Sequence, residues 1–266
     1  MAIIIDELKK IVETNKSNFN PEFRRNLLKE RLQIYVLNFI YTSEYKDLIF
    51  TGGTCLRKFY GLPRISEDLD FNTENKEFDI QKFMGELSDY FTKTISFNKF
   101  DLKLKNKTVT IKFPILRDIG FAGPNDSEVL YLKIDFAFSD LSKTVNKVYT
   151  EDGFSFIARC YDLDTLFINK VDAFLNRVYK RGNIQKVNFK GRDAFDIYWM
   201  VNDGLKAGLN KKLINKSVVG KILDKAKKIK PDDLYFDLSN FFSDQKFVRQ
   251  FCDSYTELLE SSIKSV

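Results

Sequence analysis

From Leu130 to Phe138 the chain sets Leu130, Leu132, Ile134, Phe136 and Phe138 at every second position. A period of two marks a β-strand with one buried face, because successive side chains on a strand point to opposite sides. Asp68 to Asn72 and Thr108 to Ile115 alternate in the same way and read as strands with one apolar and one polar face. Leu48-Ile49-Phe50 is a short buried strand running into Gly52-Gly53, and Thr54 to Tyr60 follows as a helix closed by Gly61. Upstream, Ile3 to Thr14 and Pro21 to Thr42 are helical, the second opened by Asn20 as a cap and Pro21. Asp79 to Ile95 supplies a crossover helix between the first two alternating strands. From Asp162 onward the pattern becomes helical: Asp162 to Tyr179, Gly191 to Val201, Lys211 to Lys228, and one or two helices in the tail. No repeat or low-complexity linker interrupts it. The expectation is an α+β fold, with a mixed β-sheet and N-terminal helices in residues 1–160, followed by a helical C-terminal domain, residues 161–266.

The chain contains no histidine. That removes Ser-His-Asp and Cys-His catalysis, histidine-based zinc sites and any imidazole base. Chemistry must therefore run on carboxylates, lysine, arginine, hydroxyls or a bound metal. Cys55, Cys160 and Cys252 are too few and too far apart for a disulfide framework or a structural zinc site. No apolar run approaches the roughly 20 residues of a membrane span. Met1-Ala2-Ile3-Ile4-Ile5-Asp6 reaches an acid too early for a signal peptide. The expected compartment is the cytoplasm.

Carboxylates stand where such chemistry needs them. Phe50-Thr51-Gly52-Gly53-Thr54 runs from strand through a glycine turn into a helix whose first N–H groups are open to phosphate. By itself this is also what a plain strand-to-helix turn looks like. Arg64-Ile65-Ser66-Glu67-Asp68-Leu69-Asp70-Phe71 follows, and residues two apart on a strand face the same side, so Asp68 and Asp70 present their carboxylates together. Two such carboxylates repel unless a cation lies between them, and oxygen ligands of this kind suit Mg²⁺ or Mn²⁺. Asp135 faces away from the apolar side of its strand and is the third candidate ligand if that strand lies beside Asp68 to Asn72. The alternative is a surface aspartate paired with Lys133. Lys170 lies on the apolar stripe of Leu166, Phe167 and Phe174, and either snorkels to solvent or meets an anion. In Arg192-Asp193-Ala194-Phe195-Asp196, Asp193 suits the first turn of a helix, and Asp196 is harder to explain on that ground.

Gly52-Gly53-Thr54-x-Leu56, Arg64-x-Ser66-x-Asp68-Leu69-Asp70-Phe71, Lys133-Ile134-Asp135-Phe136, Lys170 and Arg192-Asp193-x-x-Asp196-Ile197-Tyr198 together resemble the AbiEii-type nucleotidyltransferase toxins. The similarity spans about residues 48 to 200, and its first two blocks are the specific ones. The resemblance implies a polymerase-β-like nucleotidyltransferase core followed by the helical C-terminal domain, with an NTP and Mg²⁺ (or Mn²⁺) as cofactors. It implies that Gly52, Gly53 and Thr54 hold the triphosphate, with Arg64, Ser66 and Lys170 completing the nucleotide-binding set. Asp68, Asp70 and Asp135 are then the metal ligands, and these three with Lys170 and Asp193 are the catalytic residues. It further implies a toxin–antitoxin pair and a cognate antitoxin.

The net charge of +6 is unevenly spread: between Lys180 and Lys230 there are 14 Lys/Arg against four acids, a net of +10, which leaves 6 − 10 = −4 elsewhere. Such a stretch is either a solvated face or a surface for a polyanion. The expected reaction is transfer of a nucleoside monophosphate from an NTP to an acceptor hydroxyl on RNA (tRNA), with Asp135 helping to deprotonate that hydroxyl. Two alternatives share the core: a small-molecule, antibiotic-type nucleotidyltransferase, and a nucleotide-binding regulator without turnover. The first has no need of the basic stretch, and the second no need of three carboxylates.

Overall fold

The computed structural model of the protein describes residues 3–15, 19–139, 143–151, 153–181 and 185–264. They divide into two compact units, one of Met1–Phe59 with Ile65–Tyr161 and one of Tyr60–Arg64 with Asp162–Val266. Among the described residues no helix is long and apolar enough to cross a membrane.

The first unit begins with α1 (Ile3–Thr14) and α2 (Pro21–Tyr41). The Asn20 side chain accepts from the Phe23 amide and Pro21 fills the first helical position, so α2 starts where its cap places it. β1 (Ile49–Thr51) leads directly into α3 (Gly52–Tyr60), which starts two residues earlier than expected, at Gly52 itself. Then come β2 (Leu69–Thr73) and α4 (Ile80–Asp89), the latter capped by Asp79 and continued by a π turn over Tyr90–Thr94. β3 (Asp101–Lys105), β4 (Thr108–Pro114), β5 (Val129–Phe138), β6 (Thr144–Tyr149) and β7 (Phe156–Tyr161) complete it.

The described strands of this unit form one mixed seven-stranded sheet in the order β3-β4-β5-β2-β1-β7-β6. The β2–β5 and β1–β7 pairs are parallel and the others antiparallel. The four strands legible in the sequence, β4, β5, β2 and β1, are contiguous in this order, with β3 on one side and β7 and β6 on the other. Register then aligns residues across strands: Phe50 with Phe71, and Phe71 with Phe136. Their rings stack at 5.1 and 6.1 Å between centroids, forming a buried aromatic row on one face. One residue along, on the opposite face, the same strands align Thr51 with Asp70 and Asp70 with Asp135. The polar row is thus fixed by the packing of the aromatic one, because a one-residue slip would exchange them.

The second unit contains α5 (Leu163–Asn176), a hairpin of β8 (Tyr179–Arg181) and β9 (Gln185–Val187), α6 (Gly191–Trp199), α7 (Lys216–Ala226), α8 (Pro231–Leu238), α9 (Gln245–Asp253) and α10 (Tyr255–Lys264). The helix expected to reach Tyr179 ends at Asn176, where the hairpin takes over. The one expected over Lys211 to Lys228 is a 3₁₀ turn at Lys211–Leu213 and then α7, because Asn215 caps a new helix through the Ser217 and Val218 amides. Pro231 and Asp244 start further helices, so the tail holds three rather than one or two. Gly191 opens α6 where a β-carbon would meet the Asp237 β-carbon at 2.7 Å, and its amide donates to Asp237 Oδ2 at 2.9 Å. That glycine lets α6 and α8 approach closely.

Candidate active site

Asp70 and Asp135 are the centre of the first unit's polar row. They are register partners on adjacent parallel strands, so both side chains leave the same face from backbones one strand spacing apart, about 4.8 Å. Both are half-buried, as is Asp68, which lies just before β2 and two residues from Asp70. Thr108, the register partner of Asp135 on β4, donates its hydroxyl to Asp135 Oδ1 and sets the orientation of that carboxylate. Sequence periodicity put Thr108 on a strand but did not pair it with Asp135, because ladder register is a tertiary property.

The Gly52-Gly53-Thr54 turn is the start of α3. Gly52 has φ +77°, and a β-carbon there would run into the Asp70 carboxylate. Only glycine permits both the backbone angle and this approach. The N-terminus of α3 therefore lies against Asp70, at the helix end that carries partial positive charge. Thr54 is buried and its hydroxyl donates to the Asp68 carbonyl, tying α3 to the residue that precedes β2. Ser66 is buried too, and its carbonyl accepts from Gln33 Nε2 at 2.9 Å. The side chain of Thr54 thus places Asp68, and its backbone N–H belongs to the first turn of α3.

Among the described residues no three His, Cys, Asp or Glu side chains are gathered closely enough to enclose a metal ion. Mg²⁺ needs no such cage: it keeps several waters and binds through one or two carboxylates together with substrate phosphates. The hard oxygen donors Asp70 and Asp135 in register, with Asp68 two residues away, match that mode of binding.

The second unit holds a separate ionic cluster. Arg64 is 1% exposed and meets Asp196 through Nε and an Nη, each at 2.6 Å, a bidentate fork. Lys170 Nζ lies 2.7 Å from Asp196 Oδ2 and 3.1 Å from Asp193 Oδ1, and Arg177 reaches Asp193 at 2.8 Å. Lys170 therefore meets an anion, and the anions are the protein's own. Burial alone would pull its ammonium down, but Asp196 and Asp193 outweigh burial and hold it above the ordinary lysine value of 10.5. Burial alone would raise Asp196, but Arg64 and Lys170 outweigh it and keep the carboxyl below the ordinary 3.8. Asp196, which suited no helix-dipole reading, is thus the shared partner of two cations. Arg64, expected at the nucleotide, has its guanidinium on Asp196. Arg177 gave no sequence signal, because its role comes from the chain turning out of α5 beside Asp193.

Within the basic stretch, Lys211, Lys212, Lys216, Lys221, Lys228 and Lys230 are exposed. The side chains of residues 179–187, Lys180, Arg181 and Lys186 among them, lie outside the described residues.

The family described as "Nucleotidyl transferase AbiEii toxin, Type IV TA system" matches residues 39–262. Two solved structures from Helicobacter pylori, JHP933 and a candidate nucleotidyltransferase, are each 19% identical to this chain, with TM-scores of 0.51 and 0.52. Each alignment covers 90% of this chain, and 94% and 96% of the respective relative. At that identity the likeness speaks for the fold. No curated protein matches the chain. With the family match running from the end of α2 into α10, the chain belongs to the AbiEii family, the nucleotidyltransferase toxins of type IV toxin–antitoxin systems.

Proposed function

We propose that the protein transfers a nucleoside monophosphate from an NTP to a hydroxyl of RNA, with tRNA as the expected acceptor, in a metal-dependent reaction. In this reading it is the cytoplasmic toxin of a toxin–antitoxin pair, and a cognate antitoxin is its partner. One observation carries the reading: Asp70 and Asp135 stand side by side in parallel register, with the first residue of α3 packed against Asp70. That arrangement puts negative oxygens for a cation next to backbone N–H groups suited to a triphosphate.

We assign catalysis to the sheet-bearing core, residues 1–160, and auxiliary contacts to the helical domain, residues 161–266. The amides of Gly52, Gly53 and Thr54 are the triphosphate cradle, with Ser66 supporting it. Asp68, Asp70 and Asp135 would hold Mg²⁺ (or Mn²⁺), which when bound supplies Lewis-acid stabilisation of the charge developing on the phosphoryl oxygens. Asp135, oriented by Thr108, accepts the proton of the acceptor hydroxyl. The acceptor oxygen bonds to the α-phosphorus, the α-phosphorus–bridging oxygen bond breaks, and pyrophosphate leaves. In the helical domain we assign Lys170 a contact to a nucleotide phosphate and Asp193 the task of orienting it. Arg64 acts on Lys170 through Asp196, their shared partner.

The test is incubation of the purified protein with radioactive NTPs and total cellular RNA. Label should enter RNA of tRNA size, and should disappear with EDTA and in Asp70→Asn. Label that enters only small molecules, or that persists in EDTA, would overturn the reading.

A further inference from the structure

Strands β3, β4 and β5 show one face to solvent, and register arranges its side chains in a grid. One row is Lys105, Thr108 and Asp135; the next is Lys103, Thr110 and Lys133; the third is Asp101, Lys112 and Tyr131. The opposite face of the same strands is apolar and buried: Val109, Ile111 and Phe113 on β4, and Leu130, Leu132 and Ile134 on β5. Lys103, Lys105 and Lys133 are exposed and make no ion pair with a described residue, whereas Lys112 meets Asp101 at 3.4 Å. Tyr131 is 47% exposed, a large ring left in water two rows from Asp135. Rows two residues apart on a strand lie about 7 Å from one another. The face therefore runs from the Asp70–Asp135 pair as a short cationic track that ends in an aromatic platform.

We propose that this open face of β3, β4 and β5 seats the acceptor strand, a single-stranded polynucleotide whose reacting end lies at Asp135. Charge complementarity selects a polyanion, because three unpaired ammonium groups on a fixed lattice would neutralise successive phosphates. Tyr131 favours nucleic acid, since an exposed ring beside a cationic track can stack a base while the ammonium groups meet its phosphates. The inference rests on the RNA reading above, but places the acceptor on the sheet of the first unit rather than on the lysines of residues 180–230.

The test uses the full chain and a short fluorescein-labelled single-stranded oligoribonucleotide, with binding followed by anisotropy across a salt series. Combining Lys103→Gln, Lys105→Gln and Lys133→Gln should lower the salt slope by about 2, at roughly 0.7 per lost phosphate contact. Tyr131→Ala should weaken binding by at least about fivefold. Calorimetric binding of NTP should stay at the parent level in both, and their circular dichroism should match the parent's. If the triple variant binds with the parent's affinity and slope, the proposal is overturned. Should the loss appear only when Lys211, Lys212, Lys227 and Lys228 are replaced by Gln, this placement falls while the RNA reading stands. A parent that shows no salt-dependent binding removes both. If polyglutamate displaces the oligonucleotide charge for charge and Tyr131→Ala is silent, the face takes an acidic protein and the nucleic-acid assignment is wrong.

Discussion

Gly52 and Asp70 approach so closely that a β-carbon on the glycine would overlap the aspartate's carboxylate. Gly52 also holds φ +77°, so a side chain there would be both strained and in collision. Gly52→Ala should cost roughly 1–3 kcal/mol from the backbone conformation alone. In a chain of this size that lowers the melting temperature by several degrees, about 2–4 °C per kcal/mol. Transfer activity should fall much further than stability does, because Asp70 must move aside. A variant with the parent's activity would show that Asp70 is not where the reaction needs it.

Replacing Asp70 or Asp68 by Asn keeps the shape and removes a negative charge. Since carboxylates held close together repel, each variant should fold with parental or slightly higher stability, and if these acids hold the metal as proposed, transfer should drop by about a hundredfold or more. Urea unfolding alongside single-turnover labelling separates the two quantities. Parallel loss of folding and activity would assign the carboxylates to structure.

Arg64 and Asp196 behave in the opposite way. Both side chains are almost fully buried, so Asp196→Asn takes from the Arg64 guanidinium its carboxylate, whereas Arg64→Met leaves Asp196 with Lys170 as its remaining cation. The expected loss is about 3–5 kcal/mol for Asp196→Asn, and smaller for Arg64→Met because Lys170 still neutralises Asp196. The double variant should recover much of it, since both charges are then gone. A double-mutant cycle by urea unfolding checks this, and strictly additive losses would contradict the pairing.

The same cluster predicts a pH dependence of stability. The Asp196 carboxyl is held below 3.8, so its contribution is present above that value and is lost as pH falls through the lowered one. The Lys170 ammonium is held above 10.5, so its contribution is present below that value and is lost as pH rises through the raised one. Between about pH 5 and pH 9 the cluster should add no pH dependence. Lys170→Met, mild if the side chain merely covered apolar surface, should instead be costly, because Asp193 and Asp196 lose their shared cation. Unfolding midpoints across pH for the parent and this variant test the sign.

The inner strands were readable because each carries a run of large apolar residues at period two, as β5 does from Leu130 to Phe138. β3 escaped notice because Leu102 and Leu104, on the outermost strand of the sheet, are only half-buried and too few to carry a pattern. β6 is the other outer strand and exposes Val145 and Val148, so its apolar residues do not mark a buried face. The acids Asp68, Asp70 and Asp135 were visible because strand alternation fixes which side each faces. Thr108, the Arg64–Asp196 fork and Arg177 were not, since each depends on residues between 16 and 132 positions apart. Separations of that kind are set by folding and leave no local period.

β2 is the fourth of seven strands, and its Asp70 is aligned with Asp135 by the main-chain ladder. The interval between their backbones is therefore the spacing of neighbouring strands, about 4.8 Å. A central ladder of this kind opens only with much of the domain, so its amides should be among the slowest to exchange with solvent. The separation of the two positions from which a cation would be held is thus written in backbone hydrogen bonds. Substitution can change which groups stand at those two positions, while the distance separating them stays as the sheet sets it.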